Sequence, residues 1–129
     1  MRFQPHSSAH GAVLPHESLP AVAGTYKAGE LLVMSSGKLT KISATLNTTP
    51  PFLCMSDTAV ADGAPLAVVR VSPDTVFETT LSGAAATAVP GGKLSVATGG
   101  LQVITGTGTF EVVYAEGTTA GSVVRGRFV

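Results

Sequence analysis

Few side chains in this sequence have the type and spacing to do chemistry. All three histidines, His6, His10 and His16, stand near the start of the chain, and His6 and His10 are four positions apart. That spacing serves a metal ion on a helix, but Pro5 and Gly11 bracket the pair, and metal-binding imidazoles are held on rigid elements. Solvated loop histidines, with no metal site, are the expectation. Two carboxylate pairs, Asp57 with Asp62 and Glu111 with Glu116, are each five positions apart across an expected turn. General acid–base work needs both groups aimed at one reacting bond; these spacings share neither a helix face nor a strand face, so both pairs read as surface charge. Ser35 and Ser36 lie in a turn, and a histidine base for either would have to come from the N-terminal segment, which is poor preorganisation for a nucleophile. Gly106 and Gly108 are not followed by a helix and form no phosphate cradle. Cys54 sits in the apolar run 51–55, where a buried, inert thiol is expected. No catalytic residue and no cofactor is assigned. One pair remains: Arg125 and Arg127 alternate with Gly126 and Phe128, which places both guanidinium groups on one strand face, where their planar forks could grip carboxylates of a neighbouring subunit. A solvated sheet face is the competing reading.

The elements that must carry these residues are β-strands. The 129 residues suit one domain with a sizeable apolar interior. Only 12% are charged, while Gly, Ala, Thr, Ser and Val are plentiful, which suits short strands joined by small-residue turns. Eight basic side chains balance eight acidic ones, leaving no net field to gather nucleic acid or anionic lipid, so neither is expected as a partner. A mean hydropathy of +0.37 at zero net charge points to an assembly, although Ala and Val in ordinary strands raise the same value. A single cysteine excludes an intrachain disulfide and a cysteine metal cluster. No apolar run reaches transmembrane length and the N-terminus lacks a signal peptide's apolar core, so synthesis in the cytoplasm and no membrane partner are expected.

Residues 1–23 read as an extended N-terminal arm, because Pro5, Pro15 and Pro20 recur and no helical or alternating period survives. Within it, Val13 and Leu14, or Leu19 and Val22, could add to the sheet edge of another chain. Residues 24–129 read as a single β domain in which residues 29–42 return, altered, as 91–104. Gly29 falls on Gly91, Leu32 on Leu94, Gly37 on Gly99, Leu39 on Leu101 and Ile42 on Ile104. With a four-residue deletion in the following loop, Phe52 falls on Phe110 and Gly63 on Gly121. Correspondences in fixed order imply a duplication: module one at 24–81, a connection at 82–92 and module two at 93–129. Each would hold four strands, closed as a compact β-barrel or packed as a sandwich that hides its edges. The two hairpins are expected to superpose. Alternation puts Phe77, Thr79 and Leu81 on one face of a strand, and Phe110, Val112 and Tyr114 on one face of another.

The run Ala23-Gly24-Thr25-Tyr26-Lys27-Ala28-Gly29-Glu30-Leu31-Leu32, followed by a short strand and Gly37, resembles the opening of small tailed-phage head decoration proteins, also called capsid cement proteins. The later run Gly91-Gly92-Lys93-Leu94-Ser95-Val96-Ala97 and the closing Ala120-Gly121-Ser122-Val123-Val124-Arg125-Gly126-Arg127-Phe128 resemble the second half of the same group. The resemblance covers residues 24–129 and is one of pattern and composition. It implies a compact β fold and a non-enzymatic virion structural protein on the capsid exterior. The implied partners are the major capsid protein and further copies of the chain in a homotrimer, with the N-terminal arm ordering against the shell. A tail or baseplate β module is the alternative. A carbohydrate-binding module is less favoured, since the chain has no Trp and only Tyr26 and Tyr114 as phenols.

Overall fold

The computed structural model describes residues 2–8 and 16–129, so Val13, Leu14 and His10 lie outside the described residues. The chain is all-β. Its strands are β1 (Gln4–Ser8), β2 (His16–Pro20), β3 (Gly24–Tyr26), β4 (Leu31–Ser35), β5 (Lys38–Lys41), β6 (Phe52–Cys54), β7 (Thr58–Val60), β8 (Pro65–Arg70), β9 (Thr75–Thr80), β10 (Lys93–Val96), β11 (Val103–Ile104), β12 (Phe110–Ala115) and β13 (Val123–Phe128). A six-stranded sheet runs β1-β9-β13-β12-β10-β11, a five-stranded sheet runs β2-β8-β6-β4-β5, and β3 pairs with β7. The two large sheets are antiparallel and pack together as a sandwich. Neither closes into a barrel; isolated parallel bridges, Ala21 to Leu39 and Leu81 to Val103, only draw each sheet's ends together.

The duplication is written in the hydrogen bonds. With β1 set aside, both sheets have one strand order, β2-β8-β6-β4-β5 matching β9-β13-β12-β10-β11. Leu32 stands opposite Phe52 as Leu94 stands opposite Phe110, and Phe52 opposite Arg70 as Phe110 opposite Phe128. Gly29 N donates to Cys54 O as Gly91 N donates to Val112 O, both at 2.8 Å; Gly63 N donates to Ala21 O as Gly121 N donates to Leu81 O, again both at 2.8 Å. The turn 27–30 closes with Glu30 N on Lys27 O, and its counterpart 89–92 closes with Gly92 N on Val89 O. Their third residues, Gly29 and Gly91, have φ of 87° and 86°, a conformation in which a side chain is strained and glycine is not.

The pairing corrects the expected boundaries. Among the described residues the main sheet of each module has five strands, not four, because β2 completes the first and β9 completes the second, and module one adds the pair β3 and β7. The break falls at 71–74, and residues 82–92 lie inside module two. The strand overlooked in module one lies in the arm. β2 is a sheet edge and ends in Pro20, a site where proline is tolerated because no neighbour needs its missing N–H. The described parts of the arm include the strands β1 and β2, which pair with β9 and β8 of their own chain. In β1 the register shifts between Pro5 and Ser7.

The hairpins match in their strands and differ in their turns. Met34 faces Leu39 across the tight Ser36-Gly37 reversal, while Val96 faces Val103 across residues 97–102. Leu39 therefore corresponds to Val103 rather than Leu101. The longer turn serves the contact between modules: Gly100 O accepts from Leu31 N at 2.8 Å, and Gly99 N donates to Ile42 O at 2.9 Å. A Cβ at Gly100 would stand 2.4 Å from Leu31 O.

Strand alternation sorts the interior. On β4 and β6, Leu32, Phe52 and Cys54 face a core within module one, with Tyr26, Leu39, Leu66 and Val68. Leu31 and Leu53 point the other way, into the larger core of module two with Leu94, Phe110, Val112, Val124 and Phe128. The run Leu31-Leu32 is continuous because β4 is buried on both faces.

Candidate functional site

Two surfaces were singled out by sequence, the arginine face of the last strand and the arm. On β13, Arg125 and Arg127 share the outer face, as their spacing requires. Each has a carboxylate opposite it on the same sheet: Arg125 Nε donates to Glu78 Oε2 at 2.8 Å, and Arg127 Nη2 lies 3.6 Å from Glu111 Oε1. The Arg125 guanidinium also covers the Tyr114 ring at 5.0 Å. Tyr114 reaches that face because the register shifts between Val112 and Tyr114, a bulge that takes it off the Phe110 and Val112 face where alternation had placed it. The result is a ladder of half-exposed cross-strand ion pairs, each contributing about 0.2–1 kcal/mol.

In the arm, Leu19 stands opposite Leu66 and packs, half-buried, on the core of module one. Its side chain is engaged with its own chain. Val22 is exposed, and its carbonyl accepts from the Tyr26 hydroxyl at 2.5 Å. An arm residue the periodicity did not single out is deeply engaged: Phe3, 1% exposed. Its ring meets Phe110 edge-on at 6.0 Å and Phe128 at 6.2 Å, and Phe77 completes the cluster through Phe128 at 5.9 Å. Phe3 N donates to Gly29 O at 2.9 Å. Gly29 admits this approach, because a Cβ there would lie 2.6 Å from Phe3 O and 2.7 Å from Arg2 Cβ. The available signal was a lone aromatic in a polar, proline-bearing segment.

The ionisable groups are dispersed rather than gathered. Asp57 accepts from Ala28 N at 2.8 Å and lies 3.7 Å from Arg2 Nη1. Asp62 pairs with Lys38 at 2.8 Å, and that hydrogen bond and charge hold its carboxyl below the ordinary range. Glu30, 2% exposed, is neutralised by Lys41 at 3.0 Å, whose ammonium also sits 4.7 Å from the centre of the Tyr26 ring. Burial, and then the Glu30 carboxylate, push the Tyr26 phenol up. Burial likewise pushes the Cys54 thiol up, which makes a poor nucleophile. Among the described residues, no three His, Cys, Asp or Glu side chains come together as metal ligands, and no helix is long and apolar enough to cross a membrane.

No family model matches the sequence, and no curated protein is significantly similar to it.

Proposed function

We propose that this protein is a non-enzymatic virion structural protein that decorates and braces the outside of a phage capsid, acting as a homotrimer bound to the major capsid protein. The observation that carries the reading is where the resemblance falls. The runs shared in pattern with head decoration proteins, residues 23–32, 91–97 and 120–128, lie on the repeated turns and the strands β4, β10 and β13 that follow them. They are the framework of the duplication rather than a few scattered matches. Attachment by several weak contacts on one rigid oligomer combines into strong binding without any strong single contact. β1 ends the six-stranded sheet, so its outer side is open to strand addition while it stays paired with β9. Co-sedimentation of the purified protein with expanded, undecorated shells tests the reading. Saturable binding is the expected result, and failure to co-sediment with any such shell would sink it.

A further inference from the structure

We propose that the edge of β9, with the aromatic slot beside it, is a strand-binding site whose occupant in the assembled protein is residues 2–8 of a second copy of this chain. The repeat makes β1 an addition. Each five-stranded sheet is complete without it, and among the described residues module one has no strand outside β2, the counterpart of β9. What distinguishes the two edges is the slot. Beside β9 it is formed by Phe77, Phe110 and Phe128, and Gly29 clears the path for the incoming backbone. At the matching positions of module one stand Glu17, Phe52 and Arg70. There the Arg70 guanidinium covers the Phe52 ring at 4.8 Å and is held by two hydrogen bonds to Glu17, both at 3.2 Å. One edge accepts an aromatic anchor; the other is closed by an ion pair.

The occupant's chemistry follows from how β1 is held. The side chains of Gln4, Pro5, His6 and Ser7 are exposed, so recognition comes from the backbone ladder to β9, from Phe3 in the slot with its N–H on Gly29 O, and from the exposed Arg2–Asp57 ion pair. This is strand addition with a single anchor. The ladder and slot are the same whichever copy supplies the strand, so exchange between copies forfeits no contact and joins them. Low charge and positive mean hydropathy favour such association. The inference stands on β1 and its slot alone and holds whether or not the protein sits on a capsid.

Gln4 stands opposite Glu78, a cross-strand pair close enough for a disulfide to report docking. Full-length Gln4→Cys and Glu78→Cys chains are unfolded together, refolded as a mixture and oxidised, with Cys54 left buried. The expected product is a covalent heterodimer joined between positions 4 and 78 by peptide mapping. It should be in clear excess over dimers joined 4 to 4 or 78 to 78, retained with Phe3→Leu and lost with Phe3→Ala in the donor chain. A mixture that stays uncrosslinked, while the doubly substituted chain closes on itself at every dilution, shows a strand that serves only its own chain and overturns the proposal. A heterodimer no more abundant than the two homodimers marks random collision and overturns it equally. Both readouts are independent of whether the Phe3→Ala chain folds.

Discussion

The two modules share a backbone and differ in what fills the same place. Phe128 and Arg70 occupy one position of the repeat, each opposite a phenylalanine on the neighbouring strand. Phe128 lies 2% exposed, its ring 5.2 Å from Phe110, whereas the Arg70 side chain is 59% exposed. The turns and ladder bonds preserved the framework, while the side chains were free to make one slot dry and the other a solvated ion pair. The similarity of the modules therefore lies in backbone hydrogen bonds and their dissimilarity in recognition.

Matched substitutions break or sharpen this contrast. Phe128→Ala removes a ring from a close-packed cluster and is expected to cost about 3–5 kcal/mol. Arg70→Ala, at the equivalent position, should cost about 1 kcal/mol or less, since an exposed pair is worth little. Urea unfolding measures both, and equal losses would refute the distinction between dry and wet slots. Next in size are the paired turn glycines. Gly91→Ala forces a side chain into left-handed backbone for about 1–2 kcal/mol, with nothing within 4 Å of the new Cβ. Gly29→Ala meets the same strain and also the Phe3 carbonyl at 2.6 Å. It should therefore be the costlier of the two and should speed amide exchange across the β1–β9 ladder, which Gly91→Ala leaves protected. The smallest effect concerns Asp62, whose counterpart is Ala120. Its carboxyl is held low by Lys38, so the pair's contribution is present above the unfolded carboxylate pKa and fades as pH falls through the lower folded value. Because the Asp62 carboxylate and the Lys38 ammonium form an exposed pair, stability should scarcely respond to Lys38→Met. An NMR titration should instead show the Asp62 midpoint rising to the ordinary carboxylate range; an unmoved midpoint would mean that Lys38 is not the cause.

Much of the framework was legible because it rests on signals that sequence carries locally. Gly29 with Gly91 and Gly63 with Gly121 mark turns that demand positive φ, and the alternation of Phe77 and Thr79 with Glu78 matches the burial on β9. The rest depended on partners distant in the chain. β2 carries only one apolar side chain besides its proline, Leu19, and becomes a strand through its ladder to β8. Nothing in its own sequence starts a module. β9 reads as the end of module one because it follows β8 directly, yet it pairs with β13. The bulge that turns Tyr114 outward leaves no mark in a period of two. Of the candidate site, the shared face of Arg125 and Arg127 was visible from alternation, whereas their partners Glu78 and Glu111 come from other strands. Phe3 gains its meaning only from rings brought to it from residues 77–128.

The adjacent residues Leu31 and Leu32 tie the halves into one thermodynamic unit. Consecutive side chains of a strand point to opposite sides, so β4 delivers one leucine to each core while its backbone also bonds to Gly100. Loosening either core frees a strand that the other core needs in place. The duplicated halves are therefore expected to melt together, because a form with only one module intact would leave one of the two leucines of β4 uncovered.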